Sequence, residues 1–183
     1  MNSYFRRQLA EYADYHRDDV NRWMHIIGNP IIALAVFLPL SLVSVPIFGV
    51  HVTAAALLVI PALIVWMAFD FGLGLAVVVS GIPLLLAAAV IAKNVSVVWL
   101  WIITVLLVVI GWVMQVVGHQ LFEHRKPALL DNPIHMLMSP MYIFAKLYIA
   151  LGFRPDLAAV LGKLPEPAPL FRSDGSADLG QHP

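Results

Sequence analysis

Three stretches without a charged residue, 26–69, 71–92 and 94–122, dominate this chain, and only Asp70 and Lys93 separate them. A hydrocarbon core about 30 Å thick is crossed by a helix of about 20 mostly apolar residues. Drawn as one helix at about 1.5 Å per residue, the first stretch would run ~66 Å, so it has to fold back once. Pro46-Ile47-Phe48-Gly49 is the place for the break, because proline and glycine interrupt a regular pattern. Four spans are therefore expected, at 27–46, 51–69, 72–92 and 97–118. Apolar residues make up 61% of the chain and charged ones 12%, against roughly 45–50% and about 25% in soluble domains. A water-soluble helical bundle needs polar helix faces, and these segments offer none. The expected class is an all-α, polytopic integral membrane bundle with interfacial helices at both ends.

The first 25 residues are polar and charged, without the short apolar core and cleavage site of a signal peptide, so they are read as retained. Arg6, Arg7, Arg17 and Arg22 precede the first span. Arg125, Lys126, Lys146, Arg154, Lys163 and Arg172 follow the fourth, and Lys93 alone lies between spans. With an even number of spans this cation bias places both termini in the cytoplasm, and a bacterial inner membrane is favoured over an endoplasmic reticulum. A net charge of zero gives no sign of a nucleic-acid partner. Without cysteine, any metal has to be held by nitrogen and oxygen.

Residues 3–16 read as a polar helix at the membrane surface. Asp18 and Asp19 are good N-caps for a second helix that runs through Asn21 and His25 into the first span, with Gly28-Asn29-Pro30 expected to interrupt or kink it. Asp70-Phe71-Gly72 is a tight turn between spans two and three. Trp99, Trp101 and Trp112 lie near the ends of the fourth, as interfacial aromatics do. The apolar segment 134–153 contains Pro140 and Lys146, so it reads as interfacial or re-entrant. Residues 1–154 form the membrane domain, and 155–183, rich in proline, are expected to be a mobile tail.

Histidines carry the chemical signal. His16 and His25 flank the start of the first span, His119, His124 and His135 follow the end of the fourth, and the four-span topology brings all five to one membrane face. Asn21 and His25 are four apart on one helix face. Gln115, His119 and Glu123 fall at i, i+4 and i+8, a polar stripe on an apolar helix. His16 and His25 are nine apart, on opposite faces of a straight helix, so they converge only if the chain bends at Asp18-Asp19. Several imidazoles with a carboxylate and no thiolate suit non-haem iron(II), manganese or zinc. The plainer alternative remains open here: interfacial histidines are commonly hydrogen-bonded amphipathic residues, and Glu123 beside Arg125 and Lys126 would be a solvated loop.

Two segments then carry a resemblance. Residues 15–30, "YHRDDVNRWMHIIGNP", have the form Y-H-x4-N-x3-H-x4-P, and residues 115–133, "QVVGHQLFEHRKPALLDNP", the form Q-x2-G-H-x2-F-E-x3-P-A-L-x-D-N. Over residues 12 to about 153 the chain resembles the Mpo-like family of membrane 2-hydroxy fatty acid dioxygenases, which act in fatty acid α-oxidation. The resemblance implies an Fe(II)-dependent enzyme that uses molecular oxygen to convert a 2-hydroxy fatty acid, or a related lipid, to the acid one carbon shorter. It implies His16, His25 and His119 as ligands, with Glu123 either a fourth ligand or a carboxylate that orients a histidine, and Asn21 and Gln115 as supporting partners. Gly118, Phe122, Pro127 and Asp131 also match. His124 and His135 do not match the pattern and are read as local polar residues. The chain departs from the family at Ala145-Lys146, where an acidic residue is expected. Arg17, Arg22 or Arg125 would steer the substrate carboxylate. Two other classes are carried beside this reading: a bis-histidine haem electron-transfer protein using His25 and His119, and a non-enzymatic membrane scaffold or transporter.

Overall fold

The computed structural model describes residues 1–162. Helix α1, Ser3–Asp14, starts where the Asn2 side chain accepts the Phe5 N–H at 2.7 Å. Its buried face, Phe5, Leu9 and Tyr12, follows the three-and-four spacing of an amphipathic helix. The chain then breaks at residues 15–18, and Asp18 caps α2, Asp19–Leu40, by accepting the Val20 and Asn21 N–H groups. Helix α2 continues through Gly28-Asn29-Pro30 rather than being interrupted there. It also ends earlier than the expected span, at Leu40.

Residues 44–53 are not helical. Strands β1, Ser44–Ile47, and β2, Val50–Thr53, pair antiparallel with Val45 opposite Val52. Phe48 and Gly49 form the tip with φ of 48° and 81°, the two positive values that a tight hairpin turn requires. The break expected around Pro46–Gly49 is therefore a β-hairpin, the one departure among the described residues from an otherwise helical fold.

Thr53 caps α3, Ala54–Phe69, and Asp70 both ends α3 and caps α4, Phe71–Asn94, by accepting the Leu73 N–H. Helix α5, Val97–Val117, runs directly into a π turn, Gly118–Phe122. Three helices are long and apolar enough to cross a membrane: Asp19–Leu40, Phe71–Asn94 and Val97–Phe122. Helix α3 is apolar but shorter, with 16 residues. Apolar side chains such as Leu86 and Val90 on α4, and Val105 and Val109 on α5, are about half exposed. A surface of this kind is unfavourable in water and suited to lipid, so the fold is a membrane helical bundle, as expected.

Helix α2 packs most extensively along α5. Glycines make that approach possible: a Cβ on Gly28 would stand 2.8 Å from Gln115 Nε2, one on Gly111 2.5 Å from Ile32, and one on Gly118 would collide with Asn21 Oδ1. Small residues at a membrane helix contact allow such closeness. A short helix α6, Ala128–Asp131, leads to α7, His135–Ala150, and α8, Pro155–Leu161. Helices α1, α7 and α8 join the adjoining ends of α3 and α4 in one apolar cluster that includes Phe5, Phe69, Leu73, Met141 and Leu157. Residues 155–161, expected in the mobile tail, are thus a docked helix, because Leu157 and Val160 are buried in that cluster. The remainder of the expected tail lies outside the described residues.

Candidate metal centre

Three histidines from three parts of the chain meet beside the α2–α5 contact. His16 stands in the bend before α2, His25 in its second turn and His119 in the π turn, and all three are buried. One ligand-type nitrogen from each lies within 4.8 Å of the others, and the ring centroids are 4.3 to 4.9 Å apart. The bend expected at Asp18 is what allows His16 and His25 to face one another.

Backbone carbonyls set the tautomers of two rings. His16 Nδ1 lies 2.8 Å from the Tyr12 carbonyl and His25 Nδ1 2.9 Å from the Asn21 carbonyl. A carbonyl only accepts, so each Nδ1 carries the proton and each Nε2 keeps a lone pair. His16 Nε2 and His119 Nδ1 are buried without a hydrogen-bond partner. Burial, then the neighbouring His25 ring, pushes the His16 imidazole well below its ordinary value. Neutral imidazole, oriented through its other nitrogen, is the ligand form of histidine. Orphaned nitrogens in this state fit a divalent ion.

Glu123 stands apart from the group. Its Oε1 accepts from the Asp18 N–H at 2.9 Å and from Asn21 Nδ2 at 3.0 Å. Glu123 leaves the expected stripe because it lies just past the π turn, as its C-cap, and no longer on the helix that carries Gln115. Asn21 is fully buried and pinned between Glu123 and the close backbone of Gly118. Gln115 donates to Asn29 Oδ1 at 3.1 Å, on the wall of a cavity of about 230 Å³ that reaches the three histidines.

The same cavity is lined by Tyr12, Asn29 and Ser139, which are not among the expected site residues, and by His135, which the family pattern sets aside. A spacing signal existed for each: Tyr12 is four before His16, Asn29 continues the Asn21–His25 stripe, and His135 and Ser139 are four apart on α7. His135, read as a local polar residue, is buried, with Nδ1 donating to the Ala128 carbonyl at 3.2 Å. His124 is exposed, and its φ of 52° closes the end of the π turn. Lys146 lies over the Tyr142 ring, 5.7 Å from its centroid, and Ala145 is core. The arginines expected to steer a carboxylate are already paired, Arg17 and Arg125 with Asp14 and Arg22 with Asp19.

Comparison with known proteins bears on this geometry. The model of a family described as "2-hydroxy-palmitic acid dioxygenase Mpo1-like" matches residues 2–150. The chain belongs to the Mpo1-like family. It is also 47% identical over 53 residues to the 2-hydroxy-palmitic acid dioxygenase MPO1 of Saccharomyces cerevisiae, a match covering 28% of this chain and 30% of the yeast protein. No solved structure matches the chain.

Proposed function

We propose that this membrane protein is an Fe(II)-dependent dioxygenase that shortens a 2-hydroxy fatty acid, or a related lipid, by one carbon. The observation that carries the reading is the trio His16, His25 and His119, buried together, two of them with Nε2 lone pairs fixed by backbone carbonyls. An imidazole donor set without thiolate suits iron, manganese or zinc. Zinc has no redox chemistry, so the oxygen chemistry in the relatives' names favours iron. Bound at the three histidines, iron would supply oxygen activation and a counter-charge for an acid head group during cleavage between C1 and C2.

The chain's own residues do the rest. The Tyr12 and Asn21 carbonyls hold protons on His16 and His25 Nδ1. Glu123 bonds to none of the three rings and supports the site at one remove: its carboxylate ties Asp18 of the bend and Asn21 of α2 to the end of the π turn. With the expected cation bias, this edge of the bundle faces the cytoplasm.

The test is metal content and turnover of the purified protein. With Fe(II), oxygen and 2-hydroxypalmitate, the wild type should hold one iron per chain and release the acid one carbon shorter. His119→Ala should do neither. A wild type that binds no iron and shortens no acid rejects the proposal, and a scaffold would lose nothing on that substitution.

A further inference from the structure

The cavity beside the histidines also carries a row of polar side chains that hydrogen-bond to none of the three rings. Tyr12, Asn29, Gln115 and Ser139 come from α1, α2, α5 and α7 and are joined in a row. Gln115 Nε2 donates to Asn29 Oδ1 at 3.1 Å, Asn29 Nδ2 donates to Ser139 Oγ at 2.5 Å, and the Tyr12 hydroxyl donates to Ser139 Oγ at 2.7 Å.

A hydroxyl has two lone pairs and one proton. With Asn29 and Gln115 oriented so that Gln115 Nε2 donates to Asn29 Oδ1, Asn29 and Tyr12 fill both lone pairs of Ser139, so its proton has no acceptor among the described residues. Reversing the Tyr12–Ser139 bond moves the surplus without removing it, because two hydroxyl protons then still share one contact. Ser139 is only 9% exposed. A buried donor with nothing to give to is unfavourable, and here it borders a cavity.

The lining also includes the apolar side chains Ile32, Trp112 and Met136. Trp112 and Met136 are also 50% and 63% exposed on the outer surface, so the apolar side of the cavity is continuous with the surface of the bundle. Neither lysine nor arginine lines it, and the nearby arginines are paired with aspartates. An acid head group entering here meets neutral donors.

We propose that Ser139 is a specificity-determining residue that recognises the acid head of a single-chain lipid. Its O–H donates to a carboxylate oxygen of the substrate, Tyr12 and Asn29 hold the hydroxyl in that orientation, and the acyl chain leaves past Ile32, Trp112 and Met136. This rests on the reading of the site given above.

The experiment uses the full chain in lipid nanodiscs, with iron content measured beside anaerobic binding of radiolabelled 2-hydroxypalmitate and palmitate. Ser139→Ala should weaken both ligands about tenfold or more, the worth of a hydrogen bond to a charged group, because both carry the carboxylate. In turnover KM should rise by the same factor while kcat stays within about threefold. Iron content should be unchanged, and Ser139→Thr, which keeps the hydroxyl, should restore binding. Affinity within about twofold of wild type in Ser139→Ala overturns the proposal, as does loss of iron together with binding, which would make Ser139 a support for the histidines. If the wild type shortens no 2-hydroxy acid yet binds both lipids in a Ser139-dependent way, the reaction fails and the head-group seat stands.

Discussion

Two polar clusters lie in this greasy molecule, and they are built on opposite terms. At the α3–α4 junction Asp70, its side chain 4% exposed, accepts from the Leu73 N–H at 3.1 Å and from both terminal nitrogens of Arg154 at 3.1 and 3.0 Å. Arg154 is held in turn by Asp156 at 2.7 Å. Both carboxylate oxygens are used, in the two-pronged geometry that makes such pairs strong. The histidine cluster is as deeply buried, yet His16 Nε2 and His119 Nδ1 have no partner at all. A closed cluster of this kind ties α8 to the bundle. An open one weakens the fold and makes sense only if something else supplies the partner.

That contrast can be broken at either end. Replacing His119 with alanine should abolish iron binding and lower activity by at least ~100-fold, beyond the 10–100-fold typical of residues that merely orient a ligand. The metal-free protein should lose little stability, since the nitrogen removed had no partner. Metal analysis and thermal unfolding of the same preparation check both halves. Asp70→Ala should do the reverse. A buried pair that loses one member costs about 3–5 kcal/mol; with Arg154 partly exposed, about 2–3 kcal/mol is expected after allowing for screening. Iron per folded molecule should stay constant. Glu123→Ala should lower iron affinity about 10–100-fold without abolishing it, which iron titration would separate from loss of a ligand.

Acid should reach the closed cluster only below about pH 4, after the buried His16 imidazole, held well below its ordinary value, has begun to cost stability below about pH 6.5. Burial raises the Asp70 carboxyl, but the Arg154 guanidinium and the Leu73 N–H outweigh it and hold the group below its ordinary 3.8. A lowered value means stability that is present above the ordinary one and lost as pH falls through the lowered one. The unfolding midpoint should therefore drop below about pH 4, and less steeply in Asp70→Asn. Asp14, Asp131 and Asp156 shift the same way, so the slope should flatten rather than vanish. The smallest effect is expected at His124, whose φ of 52° suits glycine. His124→Gly should be neutral or stabilising by up to about 1 kcal/mol.

Much of the site was legible because local rules governed it. The nine-residue gap between His16 and His25 demanded a bend, Asp18 offered the cap, and the structure has both. Glu123 was harder, because the four-residue stripe assumed an α-helix and the chain widens into a π turn at Gly118. The hairpin at 44–53 was hidden in an apolar run whose composition is the same for strand and helix. The Asp70–Arg154 pair spans 84 positions, and nothing local to either residue announces the other.

The sequence by itself determined that the chain lives in a membrane and that its polar residues gather at one edge, since charge-free segments of that length tolerate no other solvent. The resemblance of its two motif segments to the family then picked out three of the histidines. Tertiary structure alone decided which nitrogens are left open, which carboxylate holds the bend, and that Ser139 faces the same cavity as the histidines. Those outcomes depend on where each helix ends and how closely glycines let α2 and α5 approach, and hydrogen bonds between distant segments have no signature until the segments meet.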